Sequence, residues 1–545
     1  MPIRSSISGC SAVLALLVFF AASALGQAPS SSSASMEQEI KDLRNENAAV
    51  REQLKTLVDT VNKLQRRLDG EPATVVRESP PPTSSPTQPP SATPPVAQSA
   101  ISTPAGTPAQ TASSQTPAAN AASNTPPAVI QVAATSGQPE SVPAPQTNDD
   151  RYRDGLVLLQ TSDEAKVPFL LKFNINTQLR YLNTLDSAQS FTDHLGVAHD
   201  VHSRNDITVN RAMFIFGGYI FDKRLQYSFT VWTSAGAASI VVAGNIGWRF
   251  NKALTLTAGY TGVPGSRSLV GTFPFFTATD RSMADNFFRP GFTQGAWLSG
   301  EPVKGLNYLA FVGNGLNTLS ITANKIDTNL LFSGSLWWEP LGPYGEPGKS
   351  RNMYDDYFTS KKVRIRLGTA FTRSRENRFS DLDQSSPENT SIYNSDGVQA
   401  FATGAFAPGV TLQDATYKMW AIDGGIKWDG LAVNGQYFMR WLGDFNADGP
   451  LPLSSTFDQG GELSAAYFVK PKKWMPYART SWVHGQFGNS YEYGAGVKWH
   501  FVPTERLWLN TEVFRISKAP YSGAFTPYTA GMTGWVPMVQ AVLAF

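Results

Sequence analysis

From about residue 150 to the C-terminus, apolar and polar side chains alternate with a period of two, the repeat of a strand whose faces meet different surroundings. Lys172–Tyr181 puts Phe173, Ile175, Thr177, Leu179 and Tyr181 on one face and Lys172, Asn174, Asn176, Gln178 and Arg180 on the other. Leu225–Val231 alternates Leu, Tyr, Phe and Val against Gln, Ser and Thr. Val363, Ile365 and Leu367 oppose Lys362, Arg364 and Arg366; Val433, Tyr437, Met439 and Trp441 oppose Asn434, Gln436 and Arg440; Val497, Trp499 and Phe501 oppose Lys498 and His500. The last segment, Gly534–Phe545, carries Trp535, Pro537, Val539, Ala541, Leu543 and Phe545 on a single apolar parity. A half-buried soluble sheet alternates too. Here no helical stretch is present to cover a sheet, and Tyr181, Trp248, Trp441 and Trp499 fall near strand ends, where a bilayer interface collects aromatic rings. The pattern predicts an all-β fold, a transmembrane antiparallel β-barrel over residues 150–545, ending on an aromatic residue.

Marking strands by alternation and connections by Gly, Pro, Asn and Asp gives about sixteen strands. Connections at Asp222–Arg224, Asn251–Ala253, Glu301–Gly305, Asp429–Gly430 and Pro503–Glu505 are short, whereas Leu185–Asn205, Thr261–Gly291, Ser374–Val398, Gly443–Gln459 and Lys518–Thr533 are long. Short turns on one side and long loops on the other are the outer-membrane pattern, and Glu339–Lys361 breaks it as a long connection on the short side.

The N-terminal third reads differently. Residues 1–26 have a signal-peptide layout: Arg4, the apolar run Ala12–Ala22, and Ala24-Leu25-Gly26 as a small-x-small cleavage site. The only cysteine, Cys10, lies inside it, so a processed chain has no thiol chemistry. Residues 36–69 carry an unbroken 4-3-4-3 spacing, with Ile40, Asn47, Leu54 and Val61 at a and Leu43, Val50, Leu57 and Leu64 at d, which predicts a parallel coiled coil used for oligomerisation. Asn47 at an a position favours two strands, while Val50 at d and Leu54 at a depart from the dimer pattern; we expect three. Residues 71–148, with nearly half of the chain's 37 prolines, are a Pro/Ala/Ser/Thr linker expected to stay disordered in the periplasm, beside the coiled coil.

Candidate chemistry changes this picture little. No phosphate loop, H-E-x-x-H helix or G-x-S-x-G elbow is present, and the reading is not an enzyme and needs no cofactor. His194, His199 and His202, with Asp193 and Asp200, lie together in the first long loop and pose the question of a metal site. A formal charge of +2 gives no reason to expect a nucleic acid partner. The basic residues say more. Lys172, Arg180, Arg249, Arg364, Arg366 and Arg440 lie on the polar parity, and a charge on the lipid side costs about 2–4 kcal/mol at mid-membrane, so they are expected to line the pore. Such groups favour small anionic solutes.

The run Ile207–Gly217 with Arg211-Ala212, continuing through Leu256–Tyr260, Asp280-Arg281-Ser282, Gln294–Trp297 and Tyr308–Gly315, resembles the phosphate-selective porin O and P family. The resemblance implies a sixteen-stranded homotrimeric porin of the bacterial outer membrane, whose third outer loop folds inward. Here that loop is Thr261–Gly291, and Arg267, Arg281 and Arg289 become its constriction candidates. Phe545 is expected to be the assembly signal read by the barrel-assembly machinery, and the barrel to sit in outer-membrane lipid. The function so implied is a passive anion-preferring diffusion channel, phosphate included. A saccharide or broad-specificity porin, or an envelope tether gripping a periplasmic component through its coiled coil, remains open.

A peptide spanning residues 36–70 should associate as a parallel helical oligomer in sedimentation analysis, and Asn47→Ile should raise its melting temperature. A monomer at tens of micromolar would remove the coiled coil.

Overall fold

The computed structural model describes residues 151–545 apart from 153, 163, 235–236, 318–328, 346–352 and 383–390. The signal, coiled-coil and linker expectations, with Ile40 through Leu64, lie outside the described residues.

Nineteen strands are described. A short β1 (Leu156–Gln160) precedes β2 (Phe169–Asn183), and a small hairpin, β3 (Ser190–Thr192) and β4 (Ala198–Asp200), follows it. Then come β5 (Asn205–Ile220), β6 (Asp222–Ser234), β7 (Ala237–Asn251), β8 (Leu254–Gly262), β9 (Phe292–Val303), β10 (Leu306–Gly313) and β11 (Leu331–Trp338). The chain continues through β12 (Arg364–Asn377), β13 (Leu412–Trp428), β14 (Leu431–Ala447), β15 (Ser455–Tyr467), β16 (Trp474–Gly485), β17 (Gly488–Trp499), β18 (Leu507–Ser517) and β19 (Gly534–Ala544). β2 and β5 through β19 pair antiparallel with their neighbours in chain order, and β19 returns to β2, closing a barrel of sixteen strands. Closure removes every sheet edge, as a membrane-spanning sheet requires. β1 extends the β19 side of β2 below the point where β19 ends.

The outward parity is apolar. On β13, Trp420, Ile422, Ile426 and Trp428 are exposed while Met419, Ala421, Asp423 and Lys427 are buried. Leu179, Phe214, Phe229, Val242, Leu336, Leu367, Leu463 and Val513 continue the outward surface. A contiguous apolar surface of this extent would be unstable in water and is what a bilayer solvates. Rings cluster where strands end: Trp474 stacks on Trp499 at 5.1 Å at one rim, and Trp441 meets Phe457 at 5.2 Å at the other.

Turns obey local stereochemistry. Asp429 and Gly430 both have positive φ (46° and 91°), the two-residue hairpin that matches strand twist between Trp428 and Leu431. Two boundaries differ from the sequence reading. β14 runs on to Ala447 through a left-handed Asp444, leaving a shorter loop than Gly443–Gln459, and β12 runs to Asn377 before its loop starts. The connection between β16 and β17 is a tight turn on the long-loop side, Gly485 pairing with Gly488.

The interior departs more from expectation. Toward the long-loop end it is a packed apolar core: Met283, Phe287 and Phe288 of the third loop meet Met419, Phe438, Phe514 and Val536 of the wall and Phe401, Tyr521 and Tyr528 of other loops. Toward the short-turn end, Phe275 packs with Met353, Tyr357, Phe468 and Trp508. Alternation therefore separates lipid from interior, not apolar from polar, because inserted loops offer the inward parity an apolar partner. Each fully buried ring contributes about 1.5–3 kcal/mol.

Phe545 closes the seam. Its N–H donates to Ile175 O at 2.8 Å, its carbonyl accepts from Ile175 N at 3.0 Å, and its ring lies 5.2 Å from Tyr152. Deleting Phe545 should lower the heat-modifiable barrel fraction recovered from outer membranes; an unchanged yield would show that this residue does not guide closure.

Candidate functional site

The loop between β8 and β9, residues 263–291, crosses the barrel interior and is almost wholly buried. Ser266 caps a 3-10 turn at Arg267–Leu269, and Ser282 caps a short helix α1 (Met283–Phe288) by accepting from Asp285 N. Ser266 Oγ donates to Asp285 Oδ1 at 2.6 Å, tying the two capped segments together. The opposite wall supplies further anchors. Glu512 accepts from Thr279 N (3.2 Å), Glu492 from Met283 N (2.9 Å), and Tyr417 donates to Phe288 O (2.6 Å).

Asp280 is the centre of the arrangement. Its Oδ2 accepts from Arg180 Nη2 at 2.7 Å and from Arg211 Nη1 at 3.0 Å, and its Oδ1 accepts from Arg281 N at 2.9 Å. Burial alone would raise its pKa; Arg211, Arg180 and Arg281 outweigh that and hold the carboxyl well below the usual carboxylate range. Arg479 reaches Glu512 and Glu492 at 2.7 and 3.2 Å and donates to the carbonyls of Asp280 and Arg281. Arg281 donates to Ser268 Oγ and lies 3.6 Å from Asp285. Burial, then Arg289 and Arg211, lower its pKa to about 10.

A second insertion comes from the other end. The connection between β11 and β12, residues 339–363, sends Tyr344, Met353, Tyr354 and Asp355 into the interior. Lys427 Nζ donates to the carbonyls of Tyr344 (2.7 Å) and Met353 (2.9 Å), and Tyr344 OH donates to Asn434 Oδ1. Burial pushes the Tyr344 hydroxyl up to about 12, so it stays a proton donor at physiological pH. The two insertions touch: Tyr354 N donates to Phe275 O at 3.0 Å, Lys498 joins Phe276 O to Asp355, and the Arg267 guanidinium lies 4.0 Å from the Tyr354 ring.

The sequence candidates divide accordingly. Arg180, Arg366 and Arg440 are buried inside the barrel but engaged: Arg366 pairs with Asp423 at 2.8 Å and approaches Glu339 at 3.6 Å, and Arg440 pairs with Asp458 at 2.8 Å. Gly368 permits the Arg366–Asp423 pair, since a Cβ there would run into Asp423 Oδ2. Arg364 donates to Leu341 O, so Arg364 and Arg366 do not form the free cationic pair that their shared parity suggests. Lys172 reaches Asp154 O at 3.4 Å and Arg249 is exposed, both at the short-turn rim. Arg267, Arg281 and Arg289 all lie in the inserted loop and are buried. Arg289 Nε and Nη1 find no hydrogen-bond acceptor among the described residues.

Arg211, Lys427, Arg479 and Lys498 were not among the candidates. Arg211 was hidden by a β-bulge. β5 turns Ile207 and Val209 outward, the register shifts between the pairs Gln178–Arg211 and Leu179–Val209, and both Asn210 and Arg211 point inward. Simple alternation would have sent Arg211 to the lipid. Lys427, Arg479 and Lys498 obey parity and were legible from it. Counting all buried charges among the described residues gives ten basic and ten acidic side chains, so the interior is near neutral overall.

The histidines serve loop packing. His194 Nδ1 pairs with Asp396 at 2.6 Å and His199 Nε2 with Asp193 at 2.8 Å, and no group of three metal-ligating side chains forms among the described residues.

No family model matches the sequence, and no curated protein does. Solved structures do resemble the chain. An outer-membrane-expressed OmpT of Vibrio cholerae is 12% identical with a TM-score of 0.41, covering 70% of this chain and 99% of its own. An anion-selective porin from Comamonas acidovorans is 10% identical with a TM-score of 0.40, covering 69% and 99%. The outer-membrane channel DcaP of Acinetobacter baumannii is 8% identical with a TM-score of 0.41, covering 71% and 100%.

Asp280→Ala would leave Arg180 and Arg211 buried around an absent carboxylate, a loss of about 3–5 kcal/mol for a broken buried pair. The temperature at which the barrel loses its compact electrophoretic mobility should fall, and less for Asp280→Asn. Equal melting of both variants and the parent would show that the loop is held without this carboxylate.

Proposed function

We propose that the chain is a passive outer-membrane diffusion channel, a porin for small hydrophilic solutes, and that it prefers anions. The observation that carries the channel reading is a closed sixteen-strand barrel, apolar outside, whose third outer loop lies across a charged interior. A loop so placed narrows the passage and brings its side chains to the solute. A homotrimer, with the short turns, linker and coiled coil in the periplasm, fits this reading.

Anion preference rests on where the charges lie, because their total is balanced. The inserted loop carries three arginines against two carboxylates, Asp280 and Asp285. Arg180 and Arg211 converge on the first of these, so on that face three guanidinium groups, Arg281 included, surround one carboxylate. Glu462, Glu492 and Glu512 reach the residues next to that turn, Ser282, Met283 N and Thr279 N, and Arg479 pairs with Glu492 and Glu512 there. Phosphate is one such anion, favoured by the resemblance of the Arg211 and Asp280-Arg281-Ser282 motifs, which meet in space at Asp280.

Planar-bilayer reversal potentials in a KCl gradient test this. Arg281→Gln combined with Arg289→Gln should move the potential toward cation preference, most at about 0.01 M salt, where the Debye length is roughly 30 Å. An unchanged permeability ratio there would show that these arginines do not face the ion path.

A further inference from the structure

The two inserted segments fill the interior unevenly. They pack closely in two large apolar clusters, which include much of the inward face of β13 through β19, and beside β6 through β8 they leave a cavity of about 230 Å3 against a smaller cluster of Trp232, Val241, Ala243 and Tyr260. One side of that cavity is a strip of rings: Trp232 and Tyr260 at 5.8 Å, then Tyr260 and Phe292 at 6.1 Å. Ser228 and Thr230, on the same strand as Trp232, and Asn245 of β7 flank the strip, and the loop side carries Ser268, Leu269, Phe273 and Arg281. The Trp232 indole N–H, 5% exposed, has no acceptor among the described residues, although buried indole donors are ordinarily satisfied.

An aromatic strip recognises the flat C–H face of a ring. Hydroxyl and amide groups beside it recognise ring hydroxyls, and a guanidinium at one end recognises a carboxylate or phosphate. We propose that this cavity is a solute subsite for a single polyhydroxylated sugar ring bearing an acidic substituent, with the ring against Trp232, Tyr260 and Phe292 and the acid toward Arg281. The assignment rests on the channel reading and narrows its solute class. A flat aromatic acid would use the strip and Arg281 but leave Ser228, Thr230 and Asn245 without partners, a cost that a polar subsite imposes on analogues lacking hydroxyls.

The test uses the full-length protein in two assays. In planar bilayers, KCl conductance reports whether the chain conducts, and current block by glucuronate, glucose and benzoate reports the subsite. In detergent, saturation-transfer NMR reports binding of the same three solutes without conduction. Glucuronate should act at about tenfold lower concentration than glucose, the factor that one charge-assisted contact of about 1.4 kcal/mol gives. Benzoate should act more weakly than glucuronate. Trp232→Leu, which removes the ring, and Thr230→Val should each weaken glucuronate severalfold while the barrel remains heat-modifiable. A conducting channel that glucuronate neither blocks nor binds overturns the subsite and leaves the channel. Binding without conductance overturns the channel and leaves the subsite. Benzoate equal to glucuronate, or glucuronate equal to glucose, overturns the solute class.

Discussion

One carboxylate shared by two guanidinium groups organises the interior. Asp280 joins Arg180 on β2 and Arg211 on β5 to the loop that leaves the wall between β8 and β9. Withdrawing three charges from water is costly, and the cost is offset only if each finds its partners in good geometry. Arg180 also donates to Gln540 and Phe525 O, and Arg211 lies 3.8 Å from the Phe525 ring. The interaction therefore fixes the loop next to the β19–β2 seam and recruits the loop before β19 as well.

Everything inward of the wall follows from that crossing. Once the loop is held, its apolar helix α1 needs a counterpart, and the inward parity of β13 through β19 supplies Met419, Phe438, Phe514 and Val536. Beneath it, the segment between β11 and β12 finds a backbone partner in Phe275 and cationic anchors in Lys427 and Lys498. The barrel is filled on one side by a core resembling that of a soluble protein. The side beside β6 through β9 keeps the cavity of rings, small polar groups and Arg281.

Much of this was legible from the residues, for reasons that can be named. A lipid-facing side chain pays a transfer penalty that no neighbour can repair, so the outward parity had to be apolar at Leu179, Phe229, Ile422 and Leu463, and the strand count, closure and terminal strand followed. The Asp429–Gly430 turn was legible because only residues tolerant of positive φ fit a two-residue hairpin. The inward parity had no such constraint. It accepts Arg366 and Phe438 alike, provided that something from a loop complements them, and the sequence does not state which loop arrives.

Sequence alone determined the barrel, its sixteen-strand count, the side on which the long loops lie and the inward placement of Arg180, Arg366 and Arg440, because alternation against lipid is local and period two. Tertiary structure decided which charges cancel. Asp423 lies across the sheet from Arg366 and Asp458 lies beside Arg440, and neither carboxylate is near its partner in the chain. It decided that Arg211 turns inward, through a single extra residue at Asn210 that resets the parity of β5. It also decided that two distant connections, residues 263–291 and 339–363, meet inside the barrel at Phe275 and Tyr354, because that contact depends on the path of each loop through space and has no period along the chain.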